Sequence, residues 1–186
     1  AHGLPGYDYD VTNEDALLHR MEFSGPDLHT PEGLHYRALA LPASRSLSYP
    51  ALQWVSRFVR QGGVVIGLKP IGPLGIVPVQ QASAYTHLVN EMWADCEGGA
   101  TESHYGRGRL VCTTQSRTAL SLMGVAPEFS YRLSGKGGAD AGLAFDYVHR
   151  RTAGAEIYFV RNTLNQSVAA TLSFRVHGRA PELWMP

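Results

Sequence analysis

The stretch SYPALQWVSRFVRQGGVVIGL, residues 48–68, decides the fold of this 186-residue chain. Ser48 stands at a helix cap position, a proline follows in the first turn, and apolar residues then recur at helical spacing. Ser48–Arg60 is therefore predicted to be an amphipathic helix closed by Gly62 and Gly63. Val64–Leu68 is a short continuous apolar run, typical of a parallel strand covered on both faces. Together they predict a layered α/β structure.

The same alternation of helix-like and strand-like segments extends through the first 134 residues. Asn13 at a cap position, acids in the first turn and a basic end predict a short helix over Asn13–Arg20. Strands alternating with helices are typical of a parallel sheet with crossover helices. The other predicted elements are a strand at Tyr36–Leu41, a helix at Ser83–Asp95, a strand at Arg109–Cys112 and a helix at Ser116–Met123.

The pattern of predicted elements changes at a Gly-rich linker, residues 135–142, and only strand-like segments follow it. Turn clusters separate three segments with a period of two, which predicts an antiparallel β meander over residues 143–186, the start of a sandwich. The last residues, PELWMP, begin what would be a fourth strand. The three predicted strands are Leu143–Arg150, Ala155–Asn162 and Val168–Val176.

The charge balance and the motifs exclude several classes of partner. Sixteen basic and 16 acidic residues give a formal net charge of zero, so no cationic field predicts nucleic acid or an anionic membrane as a partner. The longest apolar run, Gly62–Gly67, is far shorter than the roughly 18 residues of a membrane-spanning helix. Neither GxGxxG nor GK[ST] spacing is present, and no cofactor is predicted.

The sequence offers no evident nucleophile. Lys69-Pro70 stands after the Val64–Leu68 strand, where a nucleophile elbow would need Ser or Cys between small residues. The two cysteines, Cys96 and Cys112, have no CxxC-type spacing. Buried free thiols are the favoured interpretation, while a single disulfide and a reactive thiol stay open.

Two polar segments are dense enough in carboxylates to supply a general acid and a general base. They are DYDVTNED, residues 8–15, and EGGATESHYGRGR, residues 97–109. The tyrosines, Asn and His beside the acids could meet sugar hydroxyls and ring faces. The catalytic candidates are Asp10, Glu14 and Glu102, and the substrate-binding candidates are Tyr9, Asn13, His104 and Tyr105.

Structural explanations compete with these roles. Capping and first-turn charge explain Glu14 and Asp15 equally well, and a solvated loop explains the Gly-rich segment at residues 97–109. The eight histidines form no HxH or HExxH arrangement, so no metal site is predicted.

Several segments resemble glycoside hydrolase family 106, the α-L-rhamnosidases, in the region that follows the catalytic barrel. The resemblance spans nearly the whole chain and rests on YDYDVTNEDALLHRM, on GLHYRALALPASRSLSYPALQWVSRFVRQGGVVIGLKP, and on the spacing of FDYVHRR, EIYFVRN and GRAPELW. It implies a flavodoxin-like or amidotransferase-like α/β domain over residues 1–134, followed by the first strands of a β-sandwich. It also implies carbohydrate as the substrate and an exported protein, secreted or periplasmic, although AHGLPGYDYD has no signal-peptide pattern.

The resemblance has one large departure. The family carries a calcium-dependent (β/α)8-type catalytic domain with two glutamates as acid and base, and such a barrel needs about 250 residues. Neither glutamate has a counterpart at a position of this chain. Two hypotheses follow: a glycoside hydrolase that uses the carboxylates named above, or a non-catalytic accessory module. The module could form homo-oligomers through an exposed β edge.

Overall fold

A computed structural model describes residues 4–134 and 144–184. The described chain divides into two compact units, one formed by Val11–Met123 and the other by the residues up to Asp10 together with those from Gly124 onward. No helix among the described residues is long and apolar enough to cross a membrane. The predicted Gly-rich linker, residues 135–142, lies outside the described residues.

The unit at 11–123 mixes helices with short strands. Its helices are α1 (Glu14–His19), α2 (Tyr49–Arg60), α3 (Val79–Met92), α4 (Ala94–Glu97) and α5 (Ser116–Leu122). Its strands are β1 (Glu22–Ser24), β2 (Asp27–His29), β3 (His35–Tyr36), β4 (Leu39–Ala40), β5 (Ser46–Leu47), β6 (Val64–Ile66), β7 (Gly72–Pro73), β8 (Glu102–Tyr105) and β9 (Gly108–Val111).

A four-stranded sheet in the order β4-β6-β9-β8 organises this unit. β6 runs parallel to both β4 and β9, and β8 closes the sheet as an antiparallel edge strand. Val65 pairs with Leu39 on one side and Leu110 on the other, and it is fully buried. The predicted parallel sheet is therefore confirmed, with β6 covered on both faces as a continuous apolar run requires.

Helix α2 forms where its sequence pattern predicts it. The Ser48 hydroxyl caps the helix by accepting a hydrogen bond from the Ala51 amide at 3.2 Å, and the apolar stripe packs into the core. Gly63, just after the helix, makes room for the Phe58 ring, because a Cβ at this position would lie 2.4 Å from a ring carbon. The connection from helix to strand thus depends on a residue without a side chain.

Two predictions for this unit need correction. The single strand predicted at Tyr36–Leu41 is two strands, because β3 pairs with β2 in a separate antiparallel sheet of β1, β2 and β3 while β4 joins the parallel sheet. The Gly-rich segment around Glu102 is the hairpin β8–β9 and not a loop. A two-residue turn led by Gly106, whose φ is +64°, makes this hairpin.

The second unit is built from four antiparallel strands, β10 (Phe129–Leu133), β11 (Phe145–Arg151), β12 (Glu156–Asn162) and β13 (Ala170–Phe174). β11 and β12 form the predicted hairpin. β13 pairs with β10 and not with β12, so the meander order is wrong for the third predicted strand. The residues at 181–184 are not in a strand. The predicted change from a mixed α/β region to antiparallel strands is confirmed.

Candidate functional site

A cleft of about 250 Å³ lies at the carboxyl ends of the parallel strands, where open α/β sheets place their ligands. The Arg45 Nε donates a hydrogen bond of 2.9 Å to the Lys69 carbonyl, and the Lys69 ammonium pairs with Glu97. Arg45 has a left-handed backbone, with φ of +55°. The cleft is lined by Arg45, Leu68, Lys69, Cys96, Glu97, Ala100 and Cys112.

The two cysteines in this cleft form a disulfide, with their Cα atoms 6.1 Å apart. The expectation of free thiols is therefore wrong. The Cys112 amide donates to the Thr101 carbonyl at 2.8 Å, and this contact brings the end of β9 beside the segment that follows α4. The cleft presents a charged pair, and its two cysteines, which are joined to each other, offer no thiol nucleophile.

Glu102 and its neighbours lie on the exposed hairpin β8–β9. The Arg109 Nη1 donates to both Glu102 carboxylate oxygens, at 3.3 and 3.1 Å. The His104 side chain is exposed, while its backbone amide donates to Asp95 at 3.3 Å. Tyr105 is buried, and its hydroxyl accepts a hydrogen bond from the Arg60 Nε at 2.7 Å. Tyr105 thus packs inside the unit.

The acidic N-terminal segment is used for capping helices. The Asn13 side chain accepts a hydrogen bond from the Ala16 amide at 2.8 Å, so it caps α1. The Glu14 carboxylate accepts a hydrogen bond of 2.6 Å from the hydroxyl of Ser48, the cap residue of α2. Glu14 and Asn13 therefore connect the starts of two helices.

Glu14 and Glu102 are each engaged with a different partner, Ser48 and Arg109. Asp10 and Tyr9 belong to the other unit, and both are exposed. The predicted pairing of an N-terminal acid with Glu102 stays a prediction.

The strand unit contains an ion cluster that the sequence reasoning missed. The ring of His149 lies between two carboxylates: its Nδ1 is 3.0 Å from Glu128 and its Nε2 is 2.7 Å from Glu156. Its imidazole stacks on Tyr158 with ring centroids 4.2 Å apart. Only a doubly protonated ring donates to both carboxylates. The alternation in FDYVHRR and EIYFVRN places His149 and Tyr158 opposite each other, but Glu128 comes from outside the hairpin.

Burial and charge set the pKa values of this cluster. Burial raises the pKa of Glu156, but hydrogen bonds from His149 and Arg151 outweigh it and leave this pKa below 4.5. The pKa of Tyr158 is raised, first by burial and then by the Glu128 carboxylate. Burial likewise raises the pKa of Tyr147 far above its usual value, and no hydrogen bond reaches its buried hydroxyl.

One group of side chains in the described part of the chain has the composition of a metal site. Asp27, His29 and His35 each present one ligand atom, and the three atoms lie within 4.8 Å of one another. The absence of an HxH motif conceals this group, because its members come from two strands and meet only through the pairing of β2 with β3.

A family model for glycoside hydrolases matches residues 3–186, which is nearly the whole chain. The model is that of glycoside hydrolase family 106, alpha-L-rhamnosidase, and the chain belongs to this family. The resemblance inferred from the sequence motifs is thereby confirmed.

Two relatives illustrate the extent of the similarity. The chain is 26% identical over 182 residues to a putative beta-glucuronidase of Formosa agariphila, covering 96% of this chain and 14% of that protein. It is also similar to the solved structure of a rhamnosidase from Novosphingobium sp. PP1Y, with 30% identity and a TM-score of 0.79, covering 96% of this chain and 16% of that one. The chain therefore spans less than a fifth of either relative.

Proposed function

We propose that this chain is a non-catalytic α/β module of a glycosidase that acts on α-L-rhamnosyl bonds. Family membership over residues 3–186 supports the reaction class and carbohydrate as the substrate. The chain covers only a small share of each relative, which favours an accessory role in which other residues perform the cleavage.

The observation that carries the module role is how the candidate carboxylates are engaged. Inverting glycosidases hold two carboxyl groups about 6.5–9.5 Å apart on opposite sides of the sugar, and the acid must keep a proton to give to the leaving group. Here Arg109 donates to both oxygens of Glu102, while Glu14 accepts a hydrogen bond from the Ser48 hydroxyl at a helix start. Both carboxylates thus serve local structure.

The competing hypothesis is that Asp10, Glu14 and Glu102 cleave a glycoside, with Tyr9, Asn13, His104 and Tyr105 contacting it. The exposed position of His104 beside Glu102 on an edge strand favours this alternative. It requires Glu102 to leave Arg109, which would cost a charge-assisted hydrogen bond of about 1.5–3 kcal/mol. We therefore rank it second.

Assays of the purified chain test the proposal. The probes are nitrophenyl α-L-rhamnoside, β-galactoside and β-glucuronide, and we expect no hydrolysis above that of heat-denatured chain. Hydrolysis that falls at least 100-fold in Glu102→Gln or Glu14→Gln would establish the competing hypothesis. Glu32→Gln is the matched control, because Glu32 also forms an ion pair with an arginine, Arg20, and is neither a catalytic candidate nor part of the cleft lining.

The finer architectural predictions belong to the same proposal. We propose a flavodoxin-like or amidotransferase-like relationship for the α/β region, supported by the parallel strands β4, β6 and β9 with α2 between the first two. The domain limits at 1–134, 135–142 and 143–186 stay predictions. Self-association through an exposed β edge and an exported location are also proposals, the latter from the family alone.

A further inference from the structure

We propose that Asp27, His29 and His35 form a binding site for a divalent transition-metal ion of the zinc class. The site lies on the solvent face of the small antiparallel sheet β1-β2-β3. It is separate from the cleft at the parallel sheet, and it does not depend on the proposed glycosidase function.

The strand register places the ligands on one face. His29 pairs directly with His35 on β3 and with Glu22 on β1, and side chains directly opposite in antiparallel strands project to the same side. Asp27 precedes His29 by two residues on β2, so it also lies on that side. The resulting row of Glu22, His29 and His35, with Asp27 beside it, is fixed by backbone pairing.

The opposite face of the sheet holds this row in place. Leu28 is buried, and Phe23 and Tyr36 pack against the same core cluster. A one-residue slip of a strand would exchange the two faces and expose this apolar set. The core thus prevents the ligand row from shifting its register.

The distances between the ligand atoms suit a tetrahedral ion. Bonds of 2.0–2.1 Å imply about 3.3 Å between neighbouring ligand atoms. The Asp27 Oδ2 lies 3.1 Å from the His35 Nδ1 and 3.3 Å from the His29 Nδ1. The His29 Nδ1 is buried, and within the described residues its contact with Asp27 at 3.3 Å is not a well-aligned hydrogen bond. An ion between the three side chains would give this nitrogen a directed bond, and small side-chain movements would bring the ligand atoms, which lie within 4.8 Å of one another, to bonding distance.

Glu22 provides the supporting contact that such sites use. Its Oε2 lies 3.6 Å from the Nε2 of His29, the ring nitrogen opposite the one that faces Asp27. A histidine that binds a metal through one nitrogen commonly donates the other N–H to a carboxylate, which orients the ring. Glu22 therefore lies beside the His29 ring on the side away from the ion, at an ion-pair distance that is longer than a hydrogen bond.

The ligand chemistry selects the class of ion. Two imidazoles and one carboxylate suit zinc and its neighbours among the first-row transition metals, whereas Ca²⁺ and Mg²⁺ require mostly oxygen ligands. Three protein ligands leave the fourth tetrahedral position open to water or to a partner's donor atom. The ion would also join β2 to β3, strands of three and two residues.

Calorimetric titration of the tag-free, chelator-treated chain with ZnCl₂ tests the site. We expect one Zn²⁺ per chain, a loss of affinity of at least about 30-fold in His29→Ala and in His35→Ala, and no detectable binding of Ca²⁺. His19→Ala is the matched control, because His19 also forms an exposed pair with an aspartate, Asp15, but has no third ligand among the described residues. This variant should bind Zn²⁺ within twofold of the unmodified chain.

Several outcomes would overturn the proposal. One is that the unmodified chain binds Zn²⁺ no more tightly than the double variant His29→Ala/His35→Ala. Another is that His19→Ala loses as much Zn²⁺ affinity as His29→Ala or His35→Ala. A third is that the unmodified chain binds Ca²⁺ as tightly as Zn²⁺. A second measurement covers a variant that misfolds: ring ¹⁵N resonances of the unmodified chain. Zn²⁺ should shift the Nδ1 signals of His29 and His35 and leave those of His19 unchanged, and shifts only at other histidines would contradict the site.

Discussion

The unit at 11–123 and the strand unit are stabilised in different ways. The first buries a continuous core, in which Phe58, Val65, Trp93 and Leu110 are fully inaccessible to solvent. In the described part of the second, Phe129 and Ala144 are the buried apolar side chains. The helices and sheets of the first unit therefore enclose fully buried side chains, whereas the two strand pairs of the second unit bury few.

Aromatic contacts and ion pairs stabilise the strand unit in place of a large apolar core. Phe129 lies 5.0 Å from Tyr147 and 5.4 Å from Phe174, measured between ring centroids, and aromatic pairs at such distances contribute beyond their buried area. The His149 cluster adds charge-assisted contacts. The comparison teaches that apolar truncation should damage the first unit most, whereas removal of charge should affect mainly the second.

The largest effect is expected for Phe58→Ala in the first unit. The ring is fully buried and contacts Phe23 and Trp54, so its loss leaves a cavity that should cost about 3–5 kcal/mol. Urea unfolding followed by tryptophan fluorescence measures this, since Trp54 and Trp93 are buried in this unit while Trp184 is 84% exposed.

Phe159→Ala is the matched control for this truncation. Phe159 lies in the strand unit and is 62% exposed, so its removal should change the free energy of unfolding of that unit, followed by the NMR signals of Tyr158, by less than about 0.5 kcal/mol. Equal losses in the two variants would break the comparison.

Reduction of the disulfide should destabilise the first unit by about 3 kcal/mol. The bond joins residues 16 positions apart, and in the loop-entropy account such a closure restricts the unfolded chain by that amount. The measurement is the tryptophan-detected urea midpoint with and without dithiothreitol. A Cys96→Ala/Cys112→Ala chain should already have the low urea midpoint, and dithiothreitol should not change it. A further fall of this midpoint with dithiothreitol would show that the reductant does not act through the disulfide.

Glu128→Gln should weaken the strand unit by about 1.5–3 kcal/mol. It removes the charged acceptor for the His149 Nδ1 at 3.0 Å, and hydrogen bonds to charged groups contribute about that much. Loss of the NMR signals of Tyr158 with urea measures the effect in this unit. Asp146→Asn, which breaks an exposed ion pair with Arg161, should cost at most about 1 kcal/mol; a larger cost than that of Glu128→Gln would contradict the account.

The smallest effect is a pH dependence of the strand unit. Because the folded-state pKa of Glu156 lies below 4.5, the unfolded state binds the proton more readily. Its contribution to stability is present above pH 4.5 and is lost as pH falls through the lowered folded pKa. Following the Tyr158 signals during acid unfolding should show a shallower loss in Glu156→Gln, in which His149 and Arg151 face a neutral group. If Glu156→Gln lost the Tyr158 signals over the same acid pH range as the unmodified chain, Glu156 would not contribute to this pH dependence.

Local patterns in the sequence predicted several of the regular elements in each unit. The cap and apolar stripe at Ser48–Arg60 correspond to α2, and the Asn13 cap corresponds to α1, because both depend on neighbours within one helical turn. The alternation at 145–151 and 156–162 likewise predicted the hairpin β11–β12.

Local sequence patterns could not predict features that depend on strand register or on residues far apart in the sequence. The Cys96–Cys112 disulfide requires the end of β9 to lie beside α4. The group of Asp27, His29 and His35 requires the pairing of β2 with β3, and the His149 cluster requires Glu128, which precedes β10, a strand paired to β13. In the candidate site, sequence identified carboxylates of suitable type but could not show that Arg109 and Ser48 engage them.

The central claim is that these residues support a glycosidase without performing the cleavage. Its most direct test is a chimaera in which this chain replaces the matching segment of the Novosphingobium rhamnosidase, to which it is 30% identical. The measurement is kcat on nitrophenyl α-L-rhamnoside before and after the triple substitution Asp10→Asn/Glu14→Gln/Glu102→Gln. We predict a kcat within about threefold of the unsubstituted chimaera, whose own activity is the reference. A loss of 100-fold or more in kcat with unchanged KM, in a folded protein, would contradict the account.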